Sequence, residues 1–123
     1  LVYVSDRSNN RIQVFQKDGT FVREGFVEPK TPRGTIDTLA FSADRNQQFI
    51  YNADPRNMRV WILRRSDLAV LGWFGHGGHQ PGGFISSAYV VTDARGNLYV
   101  GEGQDGKRVQ RFLYKGLGRA QTR

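Results

Sequence analysis

Apolar and polar residues alternate in short runs along most of the chain. Leu1-Val2-Tyr3-Val4-Ser5 and Arg11-Ile12-Gln13-Val14-Phe15 have this pattern, and residues 21–27 carry Phe21, Val22, Phe26 and Val27. A period of two puts every second side chain on one face, so each run predicts a strand. Polar turns separate them, 6–10 and Lys17-Asp18-Gly19, where the Asp-Gly pair suits the positive φ of a tight hairpin. A connector with Pro29 and Pro32 follows, unsuited to a central strand. Four more strands are expected at 36–42, 48–53, 58–63 and 68–74. After the glycine- and histidine-rich stretch 75–83, three more are expected at 84–92, 97–102 and 108–113.

One hairpin recurs along this pattern. Tyr3, Tyr51 and Tyr99 are spaced by 48 residues, and the arginines that open the next strand, Arg11, Arg59 and Arg108, by 48 and then 49, so the third copy has one extra residue in its turn. A repeat of roughly 40 to 50 residues built from short strands is the mark of a β-propeller blade, since one unit cannot bury its apolar faces alone. The fold expected is all-β, a propeller segment of about 2.5 to 3 blades of four-stranded antiparallel sheets, where closed propellers have roughly four to eight. With strands lettered a to d outwards from the axis, 1–27 supplies b to d, 36–74 supplies a to d, 84–114 supplies a to c, and 115–123 forms a basic tail. The segment is therefore expected to be part of a larger ring, either within a longer chain or completed by partner subunits.

Strand parity assigns the loops. Successive antiparallel strands reverse direction, which puts residues 6–11, 28–37, 54–59, 76–83 and 102–108 on one face. The turns at Lys17-Asp18, Asp44-Arg45, 64–67 and 93–95 fall on the other.

Composition changes this picture little. Hydrophobic residues make up 38% of the chain and glycines number 15, which suits a turn-rich β protein. No cysteine is present, which removes disulfides, thiolate metal sites and a cysteine nucleophile. The net charge of +7 raises the question of a polyanion partner. The positive charges are spread over both loop faces, however, with the largest excess at Lys115, Arg119 and Arg123 in the tail, so nucleic acid is not the expected partner. No apolar run is long enough to span a membrane.

Three constellations could carry chemistry. The repeated turn pairs an acid that ends strand b with an arginine that opens strand c: Asp6, Asn9 and Arg11; Asp54, Asn57 and Arg59; Glu102 and Arg108. A feature written into every unit reads as a structural clasp. His76 and His79, three apart in what reads as a flexible loop, could share a metal ion, but a catalytic zinc takes about three protein ligands and this chain has no third histidine. The aromatic set Phe15, Phe41, Tyr51, Trp61, Trp73, Phe74, Phe84, Tyr89, Tyr99 and Phe112 has strand spacing and reads as core between units. The chain has no G-x-S-x-G elbow, P-loop or H-E-x-x-H, which leaves hydrolysis and nucleotide chemistry without support.

The stretch Asp6-Arg7-Ser8-Asn9-Asn10-Arg11-Ile12-Gln13-Val14-Phe15 resembles the NHL repeat. Residues 59–65, 72–84 and 96–112, with Tyr114-Lys115-Gly116, further resemble a bacterial branch of six-bladed NHL propellers related to peptidyl-α-hydroxyglycine α-amidating lyase. The resemblance implies a secreted or periplasmic six-bladed ring of which this is the C-terminal half, and, in the lyase, zinc on axial histidines with a structural calcium. Relatives carry a histidine two residues before the segment that here reads Val90-Val91-Thr92-Asp93, where this chain has Ala88, and often an aspartate where it has Thr38. The expected function is a non-catalytic binding or assembly module without a cofactor, which engages a protein partner, further blades or a second copy through Arg7, Arg56, His76, His79 and Lys107. The alternatives are a metal-dependent lyase, with zinc and calcium, and polyanion or nucleic-acid binding through Lys115, Arg119 and Arg123.

Overall fold

The computed structural model describes residues 1–118, so Arg119 and Arg123 of the basic tail lie outside the described residues. The chain is all-β. Strands β1 (Val2–Asp6), β2 (Arg11–Phe15) and β3 (Phe21–Phe26) form one antiparallel sheet in that order. Strands β4 (Leu39–Phe41), β5 (Phe49–Asp54), β6 (Arg59–Arg64) and β7 (Val70–Phe74) form a second. After β8 (His76–Gly77) and β9 (Gly83–Phe84), strands β10 (Ser87–Thr92), β11 (Leu98–Glu102) and β12 (Arg108–Phe112) form a third. None of these sheets closes on itself. The three, four and three strands follow the alternation read from the sequence.

The sheets stack with the four-stranded one in the middle. On one of its sides Ile50, Trp61 and Leu63 are buried against Ile12 and Val14 of the first sheet, with Tyr3 and Val22 alongside. On the other side Ala53 and Val60 are buried against Val90, Leu98 and Val100 of the third, with Tyr51, Phe74 and Phe112 packed around them. Alternation thus serves two cores at once. Odd positions of β5 face the third sheet and even positions the first, while β6 does the reverse. Side-chain bonds to backbone join the second and third sheets: the Thr38 hydroxyl donates to Ala88 O at 3.0 Å, the Val90 N–H donates back to Thr38 Oγ1 at 2.9 Å, and Thr92 Oγ1 donates to Phe41 O at 2.8 Å.

Several expected boundaries shift for local reasons. The strand expected at 36–42 shrinks to Leu39–Phe41. Thr35 and Ile36 are wholly buried instead as part of the connector, where Thr35 donates its N–H to Asn10 Oδ1 and accepts Asn52 Nδ2 on its carbonyl. Met58 and Leu68 have φ of 53° and 62°, left-handed values that end a turn, so β6 and β7 begin after them. The expected strand at 84–92 is broken at Ile85 and Ser86.

The stretch 75–83 is not a loose loop. β8 and β9 pair in parallel, Gly78 N–H donates to Phe84 O and Gly83 N–H to Gln80 O, and Gly75, at φ 98°, passes so close to Phe84 that a β-carbon there would sit 2.3 Å from its ring. The aromatic set also divides. Trp61 and Phe84 are buried, whereas Trp73 and Tyr89 are 53% and 62% exposed and do not belong to a core.

Candidate binding face

The connections β1–β2, β5–β6 and β11–β12 form the repeated turn, and the three copies solve one problem differently. In the first, residues Arg7–Asn9 make a short 3-10 turn and Asn10 closes it at φ 57°. Asp6 accepts Asn9 Nδ2 at 3.0 Å and Arg11 Nε at 2.7 Å, and Arg11 reaches on to Glu24 at 3.1 Å. The Asn9 amide, and with it the Arg11 guanidinium, holds the Asp6 carboxyl below its ordinary range.

In the second turn the arginine is not the partner. Asp54 is buried and accepts four donors: the N–H groups of Arg56 and Asn57 at 2.9 and 3.0 Å, Asn57 Nδ2 at 2.7 Å, and Trp61 Nε1–H at 2.8 Å. Arg59 lies instead over the rings of Trp73 and Trp61, 4.7 and 5.4 Å from their centroids. The expected Asp54–Arg59 clasp is therefore corrected. The indole occupies the register position held by Gln13 and Gln110 in the other copies, and its N–H supplies the donor that the guanidinium gives elsewhere.

In the third turn the acid is longer and the clasp widens. The Glu102 side chain is fully buried and pairs with Arg108 Nε. It also accepts Gln110 Nε2 at 2.9 Å and the Ile85 N–H at 2.8 Å. Burial alone would raise this carboxyl, but the donors from Arg108, Ile85 and Gln110 outweigh it, and the net shift is downward. Arg108 donates further to the carbonyls of His79 and Gly83, and Gln110 brackets the same segment by donating to Gly83 O at 2.8 Å and accepting Gly82 N–H at 2.9 Å. These contacts fix the 75–83 connector onto β12. The acid and arginine were legible as a repeat. The donor roles of Trp61, Asn10 and the Ile85 N–H were not, and the recurrence of Gln13 and Gln110 two residues after the arginine was a signal left unread.

Arg7, Arg56, His76, His79 and Lys107 are all exposed, on these turns and on the connector pinned to them. Arg7 makes an open ion pair with Asp37 at 3.9 Å, a contact of little energy at this exposure. Among the described residues Arg56 and Lys107 make no ion pair. His76 Nδ1 is 3.0 Å from Gly77 O. Among the described residues no three His, Asp or Glu side chains come together to hold a metal ion. No described helix is long and apolar enough to cross a membrane.

No protein-family model matches the chain, and no curated protein matches it.

Proposed function

We propose that the chain is a segment of an NHL-type β-propeller, each sheet a blade, and that it works as a non-catalytic assembly module. One observation carries this reading: the same sheet-on-sheet contact is made twice inside the molecule, and the two terminal sheets each keep an apolar outer face in solvent. Val2, Val4, Phe21 and Phe26 are exposed on the first sheet, and Tyr89, Val91 and Val109 on the third. The Asp6–Arg11–Glu24 network shares the outer face of the first sheet, and exposed apolar side chains grouped on a sheet face mark contact surfaces. The clasped turns support a scaffold role, because their acids are saturated with donors and leave no free nucleophile or base. The exposed cations Arg7, Arg56 and Lys107, with His76 and His79, form the loop face where a protein partner docks.

If the end faces are covered by association, folding is linked to concentration. The midpoint of thermal unfolding is expected to rise as the protein is concentrated about 100-fold. A midpoint constant over that range counts against the assembly reading.

A further inference from the structure

A groove of about 410 Å3 opens between the first two sheets, on the side of the β4–β5 and β6–β7 turns. Arg23 of β3 forms one wall, the β4–β5 turn supplies Asn46 and Gln48, and the other wall is Arg64, Arg65 and Ser66. Among the described residues no carboxylate lines it. The fold places its cations. Arg23 is opposite Val14 across β2–β3, and Val14 is buried towards the second sheet, so Arg23 points the same way while Glu24 points outward to Arg11. The Arg23 guanidinium donates to Arg65 O at 3.4 Å and to Ser66 O, and Arg65 Nη2 donates to Asn46 O at 3.1 Å. Backbone carbonyls thus hold both forks without cancelling their charge. Among the described residues neither Arg23 nor Arg65 makes an ion pair, and a guanidinium has more N–H donors than these bonds use. Arg64 pairs with Asp67 at 2.9 Å, both side chains half exposed. Asp44, the other acid near the rim, is taken up by the Ser42 hydroxyl and by the Gln48 N–H and Nε2.

We infer that this groove binds a dianionic phosphate group, with Arg23 and Arg65 donating to its oxygens and Arg64 adding a third positive charge. Planar guanidinium forks match phosphate oxygens in pairs, and such charge-assisted bonds are about twice as strong as neutral ones. Forks already held by carbonyls have less rotamer freedom to lose on binding. A single carboxylate is a poorer match, because it leaves cations of the groove unanswered. The volume lies within the roughly 300–1,000 Å3 of small-molecule sites, so there is room for the group that carries the phosphate. The site faces inward between two sheets of one chain, and it stands or falls independently of the assembly reading.

The test titrates the isotope-labelled chain with inorganic phosphate and, separately, with glycerol 3-phosphate at fixed ionic strength, following the arginine Nε–H signals by NMR. Saturable shifts at Arg23 and Arg65 are expected. Arg65→Gln is expected to weaken binding about tenfold. Should that variant fail to fold, Arg64→Gln, at an exposed position on the groove, takes its place with the same direction expected. Asp67→Asn frees Arg64 yet keeps the oxygen that accepts the Ala69 N–H at 3.1 Å, and it is expected to tighten binding about two- to fivefold. Arg45→Gln, exposed in the β4–β5 turn but not lining the groove, is expected to change nothing. Tighter binding of glycerol 3-phosphate than of inorganic phosphate assigns the site to a phosphorylated small molecule, and equal or weaker binding assigns it to the free ion. Shifts that do not saturate, an affinity unchanged by Arg65→Gln, or an equal loss in Arg45→Gln overturn the site.

Discussion

A buried carboxylate must be met by donors or it destabilises the fold, and the second and third turns, whose acids Asp54 and Glu102 are buried, meet that demand with different side chains. Asp54 relies on the Trp61 indole, so Trp61→Phe keeps the bulk but removes the N–H. Urea unfolding is expected to show a loss of about 1–3 kcal/mol, the usual cost of a deprived buried acceptor. Arg59→Ala removes only the cation–π contacts to buried Trp61 and half-exposed Trp73 and is expected to cost about 0.5–1 kcal/mol. By contrast Arg108→Ala strips the buried Glu102 of its charge partner and frees the 75–83 connector, and a loss of about 3 kcal/mol is expected. The ordering of Arg108 over Arg59 is the part that separates this account from three equivalent clasps.

The same buried pair sets a pH dependence. Glu102 titrates below its ordinary value of 4.5 in the folded chain. Its contribution is therefore complete above that value and is lost as pH falls through the lower folded one. Urea midpoints for the wild type are expected to fall more steeply below about pH 4.5 than those of Glu102→Gln, which carries no proton to gain. Parallel curves would remove Glu102 from the list of acid-labile groups.

Between elements, the distance separating neighbouring sheets is set by small residues at close approaches. Gly25 of β3 lies against Leu68, where an added β-carbon would sit 2.5 Å from Leu68 Cβ. Gly72 of β7 has no atom within 4 Å of the equivalent point. Gly25→Ala is expected to lower stability by about 1–3 kcal/mol through overpacking. Gly72→Ala should change it by less than about 0.5 kcal/mol, and chemical denaturation compares the two directly.

The strands were legible because alternation is a local signal: β2 and β11 show it in full, and the 48-residue spacing of Tyr3, Tyr51 and Tyr99 aligned the hairpins before any sheet was seen. The connectors were less legible. Their structure depends on contacts from distant residues, such as Gln110 to Gly83 or Asn10 to Thr35, which leave no mark in a local pattern. Trp73 and Tyr89 show a further limit. Aromatic residues at strand spacing predict which face a side chain takes, but whether that face is covered depends on what lies next to the sheet.

For the molecule as a whole, the central sheet is satisfied on both sides and its neighbours on one. Fully burying a large apolar side chain contributes about 1.5–3 kcal/mol, and the seven apolar side chains of the two end faces are each about half exposed. Covering these faces therefore gains on the order of 7 kcal/mol, comparable with the cost of about 4–15 kcal/mol for bringing two bodies together. The loop face should be independent of this. Arg56→Glu with Lys107→Glu is expected to leave the solution mass unchanged, since both lie at the rim of the stack and not on its end faces.

Sedimentation equilibrium of the unmodified chain at micromolar concentration tests the assembly reading most directly. A folded species of twice the 13.9 kDa chain mass is the expected result. A folded, monodisperse species at 13.9 kDa would contradict it.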